Sequence, residues 1–348
     1  MANEMIVETL HKVVEGDDVS RDEAYRVMEV LVSGQVSDAQ IAAFLVAMRI
    51  KGETAEELCG FAQVMRERVT AVPTRHADEK APSRPLLVDT CGTGGDGKGT
   101  FNISTAAAFV AAGAGIPVAK HGNRSVSGVC GSADVIEALG IRLDLAPERL
   151  GRCIDETGIG FLFAPLLHPA MKHVMSARRE IRIRTVFNLL GPLTNPARAG
   201  AQVIGVYEAA LTEVMASVLN DLGCHRAFVV HGLDGLDEIS IAAETKISEV
   251  REGTVRTYHV RPEDFGLRRA TMADLKGDDA SANAEVIRQI LEGVTGPQRD
   301  IVVLNAAAAI TAGGGSEDIR DGIAAAESSI DSGAAQEKLE KVVAFCQH

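Results

Sequence analysis

Residues 86–105 read LLVDTCGTGGDGKGTFNIST and join a short apolar segment to a glycine-rich loop and then to an alanine-rich helix that begins near Ser104. The apolar segment Leu86–Asp89 has the length and composition of a buried strand. A glycine-rich loop between a strand and a helix brings backbone amides and a helix N-terminus together, and these groups bind phosphate. We therefore expect an α/β protein with a phosphate-binding loop after its first strand.

The glycine-rich loop matches two phosphate-binding motifs only in part. Gly92, Gly94 and Gly97 satisfy G-x-G-x-x-G. A dinucleotide-binding fold also needs an acidic residue about 20 positions later, and the corresponding segment, Gly115–Lys120, has none. The loop also approaches G-x-x-x-x-G-K-[ST], but Gly99 occupies the position of the metal-binding hydroxyl. Neither motif is favoured.

Beyond this loop, apolar runs of strand length alternate with helical segments. The predicted strands are Leu86–Asp89, Pro117–Lys120, Phe161–Phe163, Gln202–Val206 and Ala227–Val230. A polar hairpin is predicted at residues 245–260, and helices are predicted from residue 280 to the end. The alternation predicts a mostly parallel central sheet with helices on both faces.

The first seventy residues carry helical signals instead. Three capping boxes precede amphipathic runs, at Ser20…Glu23, Ser37…Gln40 and Thr54…Glu57. The run Ile41–Met48 is apolar nearly all round, which indicates a helix that is buried on more than one side. A second subunit could supply part of that burial. We therefore predict a helical domain at residues 1–72, a linker at Pro73–Pro85 and an α/β domain beyond it.

Composition and charge narrow the range of partners. The 348 residues include 35 basic and 48 acidic ones, for a net charge of −13, and no Trp. An acidic chain with few aromatic residues does not favour nucleic acid binding. The apolar stretch at residues 106–119 is shorter than the roughly 20 residues that span a bilayer. Six scattered cysteines and the lack of a visible secretory signal favour the cytoplasm.

Polar motifs follow several of the predicted strands. They are Asn102–Thr105, Lys120–Arg124 and Gly131–Asp134. Because carboxyl-end loops of parallel strands converge on one crevice, these motifs are expected to share a site. Their amides, hydroxyls and cations suit a phosphorylated, hydroxyl-rich ligand.

Two further motifs extend this predicted site. Asp237 and Glu238 follow a buried strand, and adjacent carboxylates suit Mg²⁺, which is held by one or two carboxylates together with substrate phosphates. A single helix is predicted over His168–Arg178, with Arg178 on nearly the same face as Met171. Its guanidinium is suited to a carboxylate of the ligand.

In order and spacing, these motifs resemble those of the anthranilate phosphoribosyltransferases. The resemblance rests on Gly92–Asp96, Asn102–Thr105, Lys120–Arg124, Gly131–Asp134, His168–Met171, Asn188–Asn195 and Asp237-Glu238, and it extends over nearly the whole chain. It implies a small α-helical domain and a larger α/β domain similar to that of pyrimidine nucleoside phosphorylases. It also implies a homodimer formed through the helical domain. The helical domain would comprise residues 1–72 and about 170–193, and the α/β domain would comprise residues 85–169 and 194–348.

The resemblance also implies the reaction. Anthranilate and 5-phosphoribosyl-1-pyrophosphate would give N-(5-phosphoribosyl)anthranilate and pyrophosphate, with Mg²⁺ required, as the second step of tryptophan biosynthesis. Charge develops on the departing pyrophosphate, and Lys120 would stabilise that charge electrostatically. His121 is the candidate proton acceptor, although an aryl amine is neutral at pH 7 and a strong base is not compulsory.

The same resemblance assigns site residues by their positions in this chain. The phosphoribosyl donor would be bound by Gly92, Gly94, Gly95, Asp96, Thr100, Asn102, Ser104, Thr105, Lys120 and Ser132. Anthranilate would be bound by Gly92, His121, Asn123, His168, Arg178, Gly191 and Pro192. The metal ligands would be Ser104, Asp237 and Glu238.

The sequence departs from the family pattern at two places. Gly128-Val129-Cys130 stands where family members usually carry Ser-Ser and a basic residue, and Arg182 replaces a common glycine. Two other functions stay open at this point, a pyrimidine nucleoside phosphorylase on the same fold and a non-catalytic binding protein.

Overall fold

The structure is a computed structural model that describes residues 2–77, 85–125 and 130–347. Gly128-Val129 and most of the predicted linker beyond residue 77 lie outside the described residues. No helix within the described ranges is long and apolar enough to cross a membrane.

The chain begins with four helices, α1 (Ala2–Val14), α2 (Arg21–Leu31), α3 (Asp38–Lys51) and α4 (Ala55–Arg68). All three predicted capping boxes are confirmed at the start of α2, α3 and α4. At α2, for example, the Glu23 amide donates to Ser20 Oγ over 3.3 Å and the Ser20 amide donates back to Glu23 Oε2 over 3.0 Å. Because each box satisfies amides that the helix leaves unpaired, these helix starts are fixed locally.

A seven-stranded sheet forms the centre of the remaining chain, and its strand order is β3-β2-β1-β4-β5-β6-β7. The strands are β1 (Val88–Gly92), β2 (Val118–Gly122), β3 (Ile159–Phe163), β4 (Ala201–Gly205), β5 (Arg226–Gly232), β6 (Thr245–Arg251) and β7 (Thr254–Val260). The first five are parallel, whereas β6 and β7 add an antiparallel hairpin at one edge. The predicted mostly parallel sheet and the predicted hairpin are both confirmed.

Helices cover both faces of this sheet. They are α5 (Ile103–Gly113), α6 (Ser132–Ala138), α7 (Pro147–Thr157), α8 (Ala164–Leu167), α9 (Met175–Ile181), α10 (Val186–Leu193), α11 (Leu211–Asp221), α12 (Ala280–Leu291), α13 (Pro297–Ala312), α14 (Ile319–Asp331) and α15 (Ala334–Gln347). The alanine-rich helices α5 and α13 pack together and are buried almost all round. Small side chains let two helices approach closely while they bury their backbones, so α5 and α13 form the middle of one core.

A second core joins the N-terminal helices to the opposite face of the sheet. It contains side chains of α2, α3 and α4 together with those of α10 and α11. Ile204 of β4 and Val229 of β5 close this core from the sheet side. The molecule is thus a small helical domain on a larger α/β domain.

The predicted single helix over His168–Arg178 is wrong. The chain instead forms a 3₁₀ turn at Pro169–His173 and starts α9 only at Met175. Proline disfavours helical backbone in the residue before it, and His168 accordingly has φ −118° and ψ 67°. Met171 and Arg178 therefore do not lie on a common helical face.

Candidate active site

The carboxyl ends of the parallel strands form one edge of the sheet. Gly92 at the end of β1 is paired in register with Gly205 at the end of β4. The glycine-rich loop leaves from Gly92, and the turn that carries Asp237 and Glu238 leaves from the end of β5. These two segments meet in a strand-end cleft.

Asp237 packs closely against the backbone at the ends of β1 and β4. A Cβ placed on Gly92 would lie 2.8 Å from Asp237 Oδ2, and a Cβ on Gly205 would lie 1.6 Å from the Asp237 carbonyl oxygen. A side chain on Gly205 would overlap the backbone, and one on Gly92 would displace the Asp237 carboxylate. Glycine at these two strand ends is therefore what lets the carboxylate turn approach the glycine-rich loop.

Three carboxylates lie close together in the cleft. Burial raises the pKa of Asp237 to about 7, and the negative charge of Asp96 adds to the rise. Burial and then the charge of Asp237 raise the pKa of Glu238 to about 8, against the opposing charge of Lys120. Asp96 Oδ2 is itself buried without a hydrogen-bond partner among the described atoms. The cluster is strongly attractive to a cation.

Lys120 and Ser104 connect this cluster to the first helix of the α/β domain. The Ser104 amide, at the start of α5, donates to Glu238 Oε1 over 3.1 Å. Lys120 Nζ donates to Ser104 Oγ over 3.2 Å and to the Thr90 carbonyl oxygen. Burial lowers the pKa of Lys120, and the negative charge of Asp89 is the largest effect that opposes it. The cation is thus held beneath the cleft rather than in solvent.

Two histidines lie beside Lys120 and form a hydrogen-bonded pair. His121 Nδ1 is 3.2 Å from the Gly191 carbonyl oxygen, and His121 Nε2 is 3.1 Å from His168 Nε2. Since a carbonyl oxygen only accepts, the proton of neutral His121 lies on Nδ1, and His168 Nε2–H donates to the other ring nitrogen. Burial lowers the pKa of His121 to about 3 and that of His168 to about 4. Both rings are neutral.

Arg178 is a cation without an anionic partner. Its guanidinium carbon lies 5.2 Å from the centre of the Phe187 ring. It forms no ion pair with any of the described residues, and burial lowers its pKa to about 10. An isolated guanidinium stacked on an aromatic ring is suited to bind the carboxylate of an aromatic ligand.

Comparison with known proteins identifies this arrangement. Residues 7–69 match the model of the glycosyl transferase family helical bundle domain, and residues 84–336 match that of its a/b domain. The anthranilate phosphoribosyltransferase of Moorella thermoacetica is 54% identical over 343 residues, which are 99% of each chain. The chain belongs to the anthranilate phosphoribosyltransferase family.

Solved structures of other anthranilate phosphoribosyltransferases have the same fold. The Thermus thermophilus enzyme is 43% identical, with a TM-score of 0.89 over 97% of this chain and 99% of its own. The Saccharomyces cerevisiae enzyme in complex with PRPP and Mg is 27% identical, with a TM-score of 0.87 over 98% of both chains.

The remaining predicted residues of the anthranilate phosphoribosyltransferase pattern lie around this centre. Asn102 Oδ1 accepts from Asn283 Nδ2 over 3.1 Å, and Thr100 forms a strand-like bridge with Lys276. Thr105 is 1% exposed, and its hydroxyl lacks a partner among the described atoms. Gly94 and Gly95 are exposed in the glycine-rich loop.

Asn123, which was predicted to bind anthranilate, lies beside Ser132, which was predicted to bind the donor. Ser132 Oγ donates to the Asn123 carbonyl oxygen over 3.3 Å. The neighbouring Arg124 was expected to offer a cation to the ligand, but it pairs with Asp134 and Glu137 at 2.6 Å each. Two carboxylates neutralise it, so Arg124 stabilises this loop instead. On the opposite side, the Pro192 carbonyl oxygen accepts from Gln202 over 2.8 Å.

The site is also positioned by three buried residues to which the sequence analysis assigned no function, Asp89, Asn195 and Asn305. Asp89 accepts hydrogen bonds from the His121 amide at 3.0 Å and from Asn195 Nδ2 at 2.8 Å. Asn305 of α13 binds both the amide and the carbonyl oxygen of Ile239, next to the carboxylate pair. An acidic residue inside an otherwise apolar strand was the available signal for Asp89, whereas Asn305 lies in an unremarkable alanine-rich helix.

The described residues contain no group of three or more His, Cys, Asp or Glu side chains arranged to hold a metal on their own. Mg²⁺ does not need such a group, because one or two carboxylates and substrate phosphates complete its octahedron. The raised pKa values of Asp237 and Glu238 fit this kind of site. A separate cavity of about 390 Å³ lies between the segment after α4 and residues 196–198, and none of the predicted site residues lines it.

Proposed function

We propose that the strand-end cleft transfers the phosphoribosyl group of 5-phosphoribosyl-1-pyrophosphate to the amine of anthranilate and releases pyrophosphate. Membership of the family makes the chain a pentosyltransferase of tryptophan biosynthesis. One observation carries the assignment of this reaction to the cleft. Lys120 and the carboxylate pair adjoin His121, whose ring contacts the Gly191 carbonyl oxygen of α10, and Phe187 of the same helix contacts the guanidinium of Arg178.

The donor side of the cleft recognises and stabilises phosphate. The Gly92–Asp96 loop borders the cleft and is assigned to the phosphates, and Lys120 would supply a fixed positive charge as the bond to the sugar breaks. Because these groups are held in place before the reaction, they stabilise the leaving group with little reorganisation. The assigned donor residues are those that the sequence analysis named, with Ser104 shared between phosphate and metal.

We assign Mg²⁺ to Asp237, Glu238 and Ser104. When bound, the ion supplies positive charge to the pyrophosphate oxygens. Without it, the two carboxylates in their ionised form would repel a polyanionic donor. This charge balance supports the assignment.

The acceptor side binds and orients anthranilate. Arg178 is assigned to the carboxylate, and the ring of anthranilate would lie near Phe187, Gly191 and Pro192 of α10. His121 Nε2 already accepts a hydrogen bond from His168, so the His121 ring serves to orient the amine. To accept a proton, His121 would first have to lose its contact with His168.

We further propose that the helical domain comprises residues 1–72 and about 170–193, and that 85–169 and 194–348 form the α/β domain. Residues of α9 and α10 share a core with α2–α4, which supports this division. Helices α1 and α3, which pack together, expose Val7 (41%), Val14 (65%) and Ile50 (82%). Such an apolar surface supports a homodimer through these helices.

The proposed location is the cytoplasm. All six cysteines are present as free thiols, which suits a reducing compartment. The net charge of −13 supports small-molecule substrates rather than nucleic acid as the partners of this chain.

The loss of anthranilate fluorescence on addition of the donor and Mg²⁺ tests the reaction. Turnover that requires both additions is expected. Turnover of thymidine and phosphate instead would identify a nucleoside phosphorylase and overturn the proposal. Binding of single-stranded DNA without turnover of either substrate pair would identify a non-catalytic protein.

A further inference from the structure

Arg184 lies between α9 and α10 and reaches the glycine-rich loop from the helical side. A Cβ placed on Gly95 would lie 2.9 Å from Arg184 Nε and 3.4 Å from its guanidinium carbon. The guanidinium is therefore in contact with the Gly95 backbone. Gly95 belongs to the exposed, amide-rich part of the loop, where the donor is expected to bind.

The position of this guanidinium is fixed by stacking. Its central carbon lies 4.3 Å from the centre of the Tyr207 ring, which follows β4. The Tyr207 amide donates to Thr93 Oγ1 over 3.2 Å, and the Thr93 amide donates to the Gly205 carbonyl oxygen over 2.8 Å. The aromatic platform is thus tied to both the glycine-rich loop and the sheet.

Arg184 has no anionic partner to explain its position. It forms no ion pair and no hydrogen bond with the described residues. Glu53 and Glu208 lie near the Tyr207 ring without pairing with Arg184, and Arg49 adds a second guanidinium 5.9 Å from the same ring. Stacking preserves the donor groups of a guanidinium, so those of Arg184 are available to a ligand.

We infer that Arg184 binds a phosphate group of the phosphoribosyl donor and so brings the helical domain into the donor site. The planar guanidinium presents two parallel N–H donors that match phosphate oxygens. The inference rests on the proposed function, because that function supplies the anion. Arg184 was not among the residues that the sequence analysis assigned to the phosphoribosyl donor, and it reaches the donor site from the helical domain.

The test measures the binding of 5-phosphoribosyl-1-pyrophosphate with Mg²⁺ by calorimetry for the wild type, Arg184→Met and Arg184→Lys. Methionine keeps a long side chain against the Tyr207 ring but removes the charge. Lysine keeps the charge but removes the two parallel N–H donors of the guanidinium. Arg184→Met should weaken donor binding about 10- to 100-fold, as expected for a lost charge-assisted contact. Arg184→Lys should be intermediate, and anthranilate KM should change less than about threefold.

Arg179→Met is the matched control, because Arg179 is exposed and nearby in the chain. It should bind the donor like the wild type. Pyrophosphate and ribose 5-phosphate, each with Mg²⁺, serve as separate probes. A loss confined to one of them identifies the phosphate that Arg184 contacts.

Unchanged donor binding in Arg184→Met overturns the inference, and so does an equal loss of donor and anthranilate affinity, which a general disturbance of the cleft would cause. If Arg184→Met unfolds, Arg184→Lys decides, because wild-type donor affinity in that variant is incompatible with a bidentate contact. Failure of the wild type itself to bind the donor would instead contradict the proposed function.

Discussion

Replacement of Arg178 by methionine should make the protein more stable and less able to bind anthranilate. The guanidinium is mostly buried and has no ion-pair partner among the described residues. Burial lowers its pKa from the usual value of an arginine to about 10. At about 1.4 kcal/mol for each tenfold change, this depression corresponds to an upper limit of about 3 kcal/mol for the cost of burying the charge.

Methionine removes this cost while it keeps a contact with the Phe187 ring. Screening by nearby solvent and the loss of a cation–π contact reduce the expected gain in the free energy of unfolding to about 1 kcal/mol. Loss of a charge-assisted contact to the anthranilate carboxylate should cost about 2–4 kcal/mol of binding, or about 30- to 1,000-fold in KM.

Urea unfolding and steady-state fluorescence assays measure the two effects, with Arg179→Met as an exposed control. Donor KM should stay within about threefold of the wild type, since Arg178 is assigned to anthranilate alone. A variant that is less stable than the wild type would refute the account of Arg178 as an uncompensated cation. Unchanged anthranilate KM, or equal weakening of both substrates, would refute its assigned role.

Three more substitutions or conditions test other parts of the cleft. Lys120→Met should lower kcat by about 100- to 1,000-fold in the fluorescence assay with little change in anthranilate KM, because it removes charge from the leaving-group side; a kcat within tenfold of the wild type would contradict this role. The lowered pKa values of His121 (about 3) and His168 (about 4) mean that the folded state binds fewer protons than the unfolded state below pH 6.5. The contribution of the two histidines to the free energy of unfolding is therefore complete above pH 6.5 and is lost as the pH falls toward 4. Urea titrations should show that the replacement of both by glutamine reduces the loss of stability between pH 7 and 5 by about 2–4 kcal/mol. An unchanged dependence of stability on pH would show that the rings are not buried and neutral. Gly92→Ala should displace the Asp237 carboxylate and abolish turnover with little loss of stability. The side chain in Gly205→Ala would overlap the Asp237 backbone, so that variant should be unfolded when it is measured by circular dichroism. Normal activity in either variant would contradict the packing around Asp237.

The sequence predicted those features that depend on neighbours along the chain. Each capping box joins residues three positions apart, and the strand and hairpin signals lie within single segments. The expectation that strand-end motifs meet also followed from the topology of parallel sheets, and Ser104, Lys120 and Glu238 are indeed in contact. The interrupted helix was predictable in principle, because Pro169 disfavours helical backbone at His168.

Contacts between distant segments were not predictable in this way. His121 and His168 are 47 residues apart, and Asp89 and Asn195 are 106 apart. No periodic pattern in one segment indicates which side chain of another segment will face it. The same is true of Arg184, which looks like an ordinary surface residue until the fold places it against Gly95.

Calorimetry of donor binding with and without Mg²⁺ tests most directly whether a carboxylate-held ion and the phosphate loop act on one molecule. The comparison needs the wild type and the double variant Asp237→Asn with Glu238→Gln. In the wild type, Mg²⁺ should tighten binding of 5-phosphoribosyl-1-pyrophosphate by about tenfold or more, since Asp237 and Glu238 would hold the ion and it would supply positive charge to the donor phosphates. In the double variant this gain should disappear. An equal gain from Mg²⁺ in both proteins would place the ion elsewhere and contradict the shared cleft.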